Sequence, residues 1–170
     1  MFRKWVAIIF DHKVSLRERM FRIVTAVCML ALLFMLPMGR NLLNWVLLPI
    51  SLAFMTVVVE VSIRKECIHV GATAISVLLL ILFPISFFSA GGFYSGVPEW
   101  FVICFIYICI TLEGRRMYAF FLICMGETLL CYYVAYYFPE YVAQNSQKNS
   151  FFDSAHSVIL VGMLNSLLLI

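Results

Sequence analysis

The sequence predicts an all-α membrane protein, a polytopic bundle of six transmembrane helices with both termini in the cytoplasm. Composition is the first reason: 64% of the 170 residues are hydrophobic and 12% are charged. A soluble domain carries about 25% charged residues, so this chain lacks the polar surface of one. Apolar segments near the roughly 20 residues that a membrane helix needs are the second reason. We expect helices at residues 20–37, 41–63, 68–89, 98–113, 117–138 and 155–170.

The placement of basic residues predicts the orientation of this bundle. Ten of the twelve Lys and Arg residues precede the first segment, lie in its first turn or follow the second and fourth segments. The other two, Arg40 and Lys148, lie in the alternate gaps. Basic residues are enriched in cytoplasmic loops, so both termini are expected inside a bacterial cytoplasmic membrane. These residues serve as anchors at the bilayer, and the net charge of +3 therefore calls for no nucleic-acid partner.

Residues 1–19 precede the first helix and form a basic, amphipathic segment. Its apolar residues Phe2, Trp5, Ile8 and Ile9 occur together with Arg3, Lys4 and Lys13, a pattern typical of a helix that lies on the inner leaflet. A frayed basic tail fits the same residues equally well.

The third gap, residues 89–100, differs in kind from the short turns after the second and fourth segments. It contains three glycines, two serines and a proline, which predicts a tight, shaped turn. Pro98 and Glu99 suit the first turn of the fourth helix. Gly114 is placed to cap the end of that helix.

The longest polar gap, residues 141–152, leads to the sixth helix, for which Asp153 or Ser154 is the expected N-cap. This helix would start at 155 and stop at Ile170 after 16 residues, with no charged residue at its cytoplasmic exit. We therefore expect the chain to be cut inside its last helix, with a cytoplasmic domain following.

Glu127 is an acidic residue in the middle of the fifth apolar segment, where an ionisable group is costly and is by default a functional candidate. Helical spacing places Cys124 and Cys131 on the same face. One interpretation is a proton-linked or soft-metal site. The commoner arrangement is a protonated Glu bonded to a neighbouring helix, with the cysteines as small packing residues. No metal site, cofactor or catalytic residue is predicted.

Aromatic residues are concentrated in the half of the predicted bundle that faces away from the cytoplasm. An interfacial belt explains many of them, but their clustering around the glycine-rich gap also fits an apolar pocket. The candidate ligand-binding residues are those that would shape this loop, line the pocket or supply polar contacts: Gly91, Gly92, Tyr94, Trp100, Glu127 and Asp153.

From about residue 20 to 170 the sequence resembles the six-helix N-terminal membrane regions of multidomain signalling receptors of Firmicutes. The matching motifs include Phe83-Pro84, Gly91-Gly92, Ser95-Gly96, Trp100-Phe101 and Tyr136-Tyr137-Phe138-Pro139-Glu140. The resemblance implies a sensor domain that responds to a small extracellular or membrane ligand. In that family the sixth helix leads to a histidine kinase core or a diguanylate cyclase, through which the protein dimerises.

The expected function is therefore the input domain of a sensor histidine kinase, with a diguanylate cyclase sensor as one alternative. No output domain lies within this chain, so no enzymatic activity is assigned to it. A second alternative is the membrane subunit of a vitamin-type transporter, because such subunits have about the length of this chain and six helices. Such subunits carry an Ala-x-x-x-Ala motif on the first helix, whereas Ala26 and Ala31 are five residues apart.

Overall fold

The computed structural model describes residues 16–35, 42–144 and 146–168. These residues form six α-helices, which confirms the all-α class. They are α1 (Leu16–Met35), α2 (Leu42–Arg64), α3 (Ile68–Ala90), α4 (Val97–Thr111), α5 (Gly114–Tyr137) and α6 (Gln147–Leu168). Short 3₁₀ helices, Gly92–Tyr94 and Pro139–Tyr141, follow α3 and α5. Most of the predicted amphipathic segment 1–19 and the hairpin at 36–41 lie outside the described residues.

Three described helices are long and apolar enough to cross a bilayer: Trp45–Arg64, Ile68–Ala90 and Gly114–Tyr137. The sequence predicts six such spans. The α4 helix is apolar but has only 15 residues, equivalent to a length of about 22 Å. The first turns of α1 contain Glu18, Arg19 and Arg22, and α6 begins with a polar segment. The described helices are thus as apolar as those of a membrane protein, and three of them are candidate membrane spans by length and composition.

The short α4 helix occupies the centre of the bundle. It packs against α1, α3, α5 and α6, while α2 packs on α1 and α3. About half of its residues are buried, including Phe101, Cys104 and Tyr107. A helix that is enclosed by other helices does not have to reach both faces of the membrane by itself, and this accounts for its length.

The α5 helix is the opposite case, because most of its apolar side chains face outward. Its buried residues are Cys124, Cys131 and Ala135. Leu122 and Leu129 are 66% and 62% exposed. An apolar surface of this extent is unfavourable in water and is expected where a helix faces lipid.

The two ends of the bundle differ in their connections. At one end, here called the loop end, residues 91–96 and 138–144 meet, and the Ala143 amide donates to the Phe88 carbonyl at 2.8 Å. At the other, here called the basic end, the short turns 65–67 and 112–113 connect α2 to α3 and α4 to α5.

The start of α6 corrects the sequence prediction. The helix begins at Gln147 rather than at 155, and the Ser146 hydroxyl accepts a hydrogen bond from the Asn149 amide at 3.4 Å. Residues 147–150, which the sequence assigned to a loop, therefore form the first turn of α6, since Ser146 can satisfy an orphan amide there. Asp153 consequently lies within the helix and is not its N-cap. Gly114 likewise begins α5 rather than capping α4.

Candidate functional site

The connection after α3 is a turn that depends on two adjacent glycines. Gly91 and Gly92 have φ values of 117° and 58°, a left-handed conformation that costs glycine little. The Ser95 hydroxyl closes the turn by donating to the Gly92 carbonyl at 2.7 Å. A Cβ at position 92 would lie 2.9 Å from Val142 Cγ1, so the turn also fits closely against the second connection of the loop end.

Two hydrogen bonds connect this turn and the start of α4 to α6. The Gly96 amide donates to Asp153 Oδ2 at 2.9 Å. The Trp100 indole Nε1–H donates to Ser157 Oγ at 3.1 Å. Asp153 and Ser157 are four residues apart and so share one face of α6. We call these four residues the latch.

The latch also depends on close backbone contact at Gly96. A Cβ added there would lie 2.6 Å from the Asp153 carbonyl oxygen and would overlap with the Ser157 hydroxyl. Gly96 has an ordinary backbone conformation, with φ of −82°, so steric contact rather than φ requires glycine. Ser157 is fully buried and Trp100 is 8% exposed. Both partners of the indole hydrogen bond are therefore shielded from competing solvent.

A narrow apolar crevice of about 60 Å³ reaches the Trp100 ring on the side of the bundle formed by α1 to α4. Its lining side chains are apolar or small: Cys28, Leu32, Leu48, Met55, Leu79, Leu82, Phe83, Ser86, Val97 and Trp100. Anything that enters this crevice touches the same indole whose N–H is bonded to α6.

The aromatic residues near the loop pack against each other. Phe87 is fully buried, and its ring lies 5.8 Å from Phe93, 6.0 Å from Phe101 and 5.7 Å from Tyr132, centroid to centroid. These rings pack together and fill the region near the glycine-rich connection, where an apolar pocket was one of the two interpretations of the sequence. Exposed aromatic rings surround this end, and they include Tyr133, Tyr136, Tyr137, Tyr141, Phe151 and Phe152. Their arrangement fits the belt interpretation.

Glu127 lies near the middle of α5, about 15 Å along the helix axis from its loop end. Its Oε2 atom is buried and has no hydrogen-bond partner in the part of the chain that the structure describes. Cys124 and Cys131 are buried on the same helix. Among the described residues, no three His, Cys, Asp or Glu side chains lie close enough to hold a metal ion.

The structure brings four of the six predicted residues into one region and separates the others. Gly91, Gly92, Trp100 and Asp153 belong to the turn and the latch. Tyr94 is on the same connection but is 76% exposed, and Glu127 lies deeper in the bundle. None of the observed roles requires a ligand, since the first four make contacts within the chain.

Sequence reasoning missed Ser157 and the role of Gly96. Ser157 follows Asp153 by one helical turn, and this spacing was the available signal. The prediction assigned Asp153 to a helix cap, so Asp153 and Ser157 were not recognised as residues of one helix face. Their spacing becomes informative once α6 is known to begin at Gln147.

No protein-family model matches this chain, and neither the curated proteins nor the solved structures include a match to it.

Proposed function

We propose that this chain is the membrane-embedded input domain of a bacterial signal-transduction protein, with a histidine kinase as its output. The latch is the observation that carries the proposal. It joins a turn at one face of the bundle to the last helix through two specific hydrogen bonds. A sensor needs such a connection, because a stimulus at one face must alter a helix that leads to the other.

The proposal includes six spans in the cytoplasmic membrane, with the basic end and both termini inside. Charge supports this orientation. The described part of the basic end carries Arg19, Arg22, Arg64, Lys65, Arg115 and Arg116. The described part of the loop end carries one basic residue, Lys148, while acidic residues occur at both ends and contribute little to orientation. Periplasm-dependent reporter enzymes fused within residues 91–96 and 138–144 should be active, and fusions at 65–67 and 112–113 inactive. The reverse pattern would refute the orientation.

The mechanism that follows has two arrangements of α6, one with the latch closed and one with it open. A stimulus shifts their populations only if it favours one of them. The crevice provides a route for an apolar ligand or for a change in the bilayer, because Trp100 both lines it and bonds to Ser157. Displacing the ring would break that bond and release one turn of α6.

A fusion of the full chain to the coiled coil and core of a characterised histidine kinase tests this mechanism. Trp100→Phe and Asp153→Asn each weaken the latch, and we expect each to change basal autophosphorylation about fivefold. A bond contributing about 1 kcal/mol shifts a two-state equilibrium by that factor. Val158→Ala is the matched control, since Val158 neighbours Ser157 on α6 and is 57% exposed. Unchanged autophosphorylation in both latch variants, at equal membrane levels, would refute a signalling role.

The choice of output rests on the family resemblance, which allows a diguanylate cyclase as well as a kinase. Reading the coding frame past Ile170 distinguishes them: a dimeric kinase core supports the main proposal and a cyclase domain supports the alternative. A vitamin-type transporter is disfavoured by the first helix, because Ala26 and Ala31 are five residues apart and do not form the Ala-x-x-x-Ala motif of such subunits.

A further inference from the structure

The basic end contains a second and larger cavity, about 360 Å³ in volume, that is independent of the latch. It lies between the first turns of α3 and the turn that joins α4 to α5. Its volume is roughly twelve times the ~30 Å³ that one water molecule occupies. Most of its lining is polar or charged: His69, Thr73, Leu112, Glu113, Arg115 and Arg116.

The two arginines of this cavity differ from other arginines at the same end. Arg22 and Arg64 pair with Glu18 and Glu60, one helical turn before each of them. Arg115 and Arg116 are exposed, and neither forms an ion pair or side-chain hydrogen bond with a described residue. Glu113 contributes one negative charge to the lining, so the two guanidinium groups leave the cavity with a net positive charge.

The backbone adds to this positive field. Both α3, at Ile68, and α5, at Gly114, begin beside the cavity, and no side chain caps either helix start. A helix N-terminus carries a partial positive charge, so two arginines in the first turn of α5 oppose the dipole. A bound anion removes this conflict, because it interacts favourably with the arginines and with the positive ends of both helix dipoles.

We propose that this cavity binds a phosphate group, with Arg115 and Arg116 as its principal ligands. Guanidinium groups match phosphate oxygens through paired N–H donors. Thr73 Oγ1 already donates to the His69 carbonyl at 2.8 Å, so the arginines and His69 supply the side-chain donors. The phosphate would come from the headgroup of an anionic phospholipid at the membrane surface or from a soluble phosphorylated compound.

The test compares lipid binding to the purified full-length chain in neutral detergent by native mass spectrometry. Phosphatidylglycerol is titrated against wild type and an Arg115→Gln/Arg116→Gln variant. We expect about 25-fold weaker binding, or about fivefold per arginine. The control is Arg64→Gln/Lys65→Gln, which removes two charges from the same end but outside the cavity. It should weaken binding less than about threefold.

Two further arms distinguish the source of the phosphate. Retention of phosphatidylglycerol over phosphatidylcholine, with no displacement by millimolar inorganic phosphate, supports a lipid headgroup. Displacement by inorganic phosphate supports a soluble phosphate compound. If the cavity variant and the control lost equal binding affinity for phosphatidylglycerol, the attraction would come from surface charge in general, and the proposed site would be refuted. Unchanged binding in the cavity variant would overturn it too.

Discussion

At the loop end, side-chain hydrogen bonds connect residues far apart in the chain, whereas the ion pairs at the basic end connect neighbouring residues. Gly96 and Trp100 bond to partners 57 positions later, and the turn that precedes them has a left-handed conformation at Gly91 and Gly92. The ion pairs at the basic end, Arg22–Glu18 and Arg64–Glu60, connect residues four apart on one helix.

This difference determines what each end can do. An i,i+4 pair stabilises its own helix and says little about how helices are placed relative to each other. A buried hydrogen bond between helices, backed by close packing at a glycine, specifies one placement and is lost as a unit when that placement changes. The hydrogen bonds of the loop end therefore specify how α6 is placed against α4, whereas the ion pairs of the basic end each stabilise a single helix.

Gly96→Ala should have the largest effect on stability. The added Cβ would overlap with the Ser157 hydroxyl and lie 2.6 Å from the Asp153 carbonyl oxygen. We expect a loss of about 1–3 kcal/mol in the free energy of unfolding, as for overpacking in general. Denaturant or thermal unfolding in detergent micelles measures this loss.

Gly126→Ala is the matched control, since a Cβ at this position of α5 meets nothing within 4 Å. Alanine should stabilise the helix there by about 0.5–1 kcal/mol. If the two substitutions had the same effect, close contact at Gly96 would not be what holds the turn against α6.

The Trp100–Ser157 hydrogen bond should contribute a smaller amount. A double-mutant cycle with Trp100→Phe and Ser157→Ala isolates it, because each single change removes the bond. We expect a coupling free energy of about 1 kcal/mol, the net value of a hydrogen bond between protein groups. Additive effects of the two substitutions would mean that Trp100 acts by packing alone.

The smallest effect is expected at the Glu60–Arg64 pair of the basic end. These side chains are 46% and 76% exposed, and solvent screens such pairs. Glu60→Gln should change the free energy of unfolding by no more than about 0.5 kcal/mol, and less at high salt. A loss comparable to that at Gly96 would remove the contrast between the two ends.

The sequence predicted local features well and distant contacts poorly. Pro98 and Glu99 lie in the first turn of α4 as expected. Asp153 was assigned to a helix cap, since an acidic residue beside a polar gap is typical of one. Its actual partner is an amide 57 residues away, and no local pattern encodes that choice.

The sequence by itself determined the all-α class, the apolar helices and the segregation of basic residues, because each follows from composition and short-range periodicity. Only the tertiary structure decided that α4 is the buried centre and that Gly96 and Trp100 bond to one face of α6. Packing selects among helix arrangements of similar local energy, and the selection depends on contacts between residues that the sequence separates.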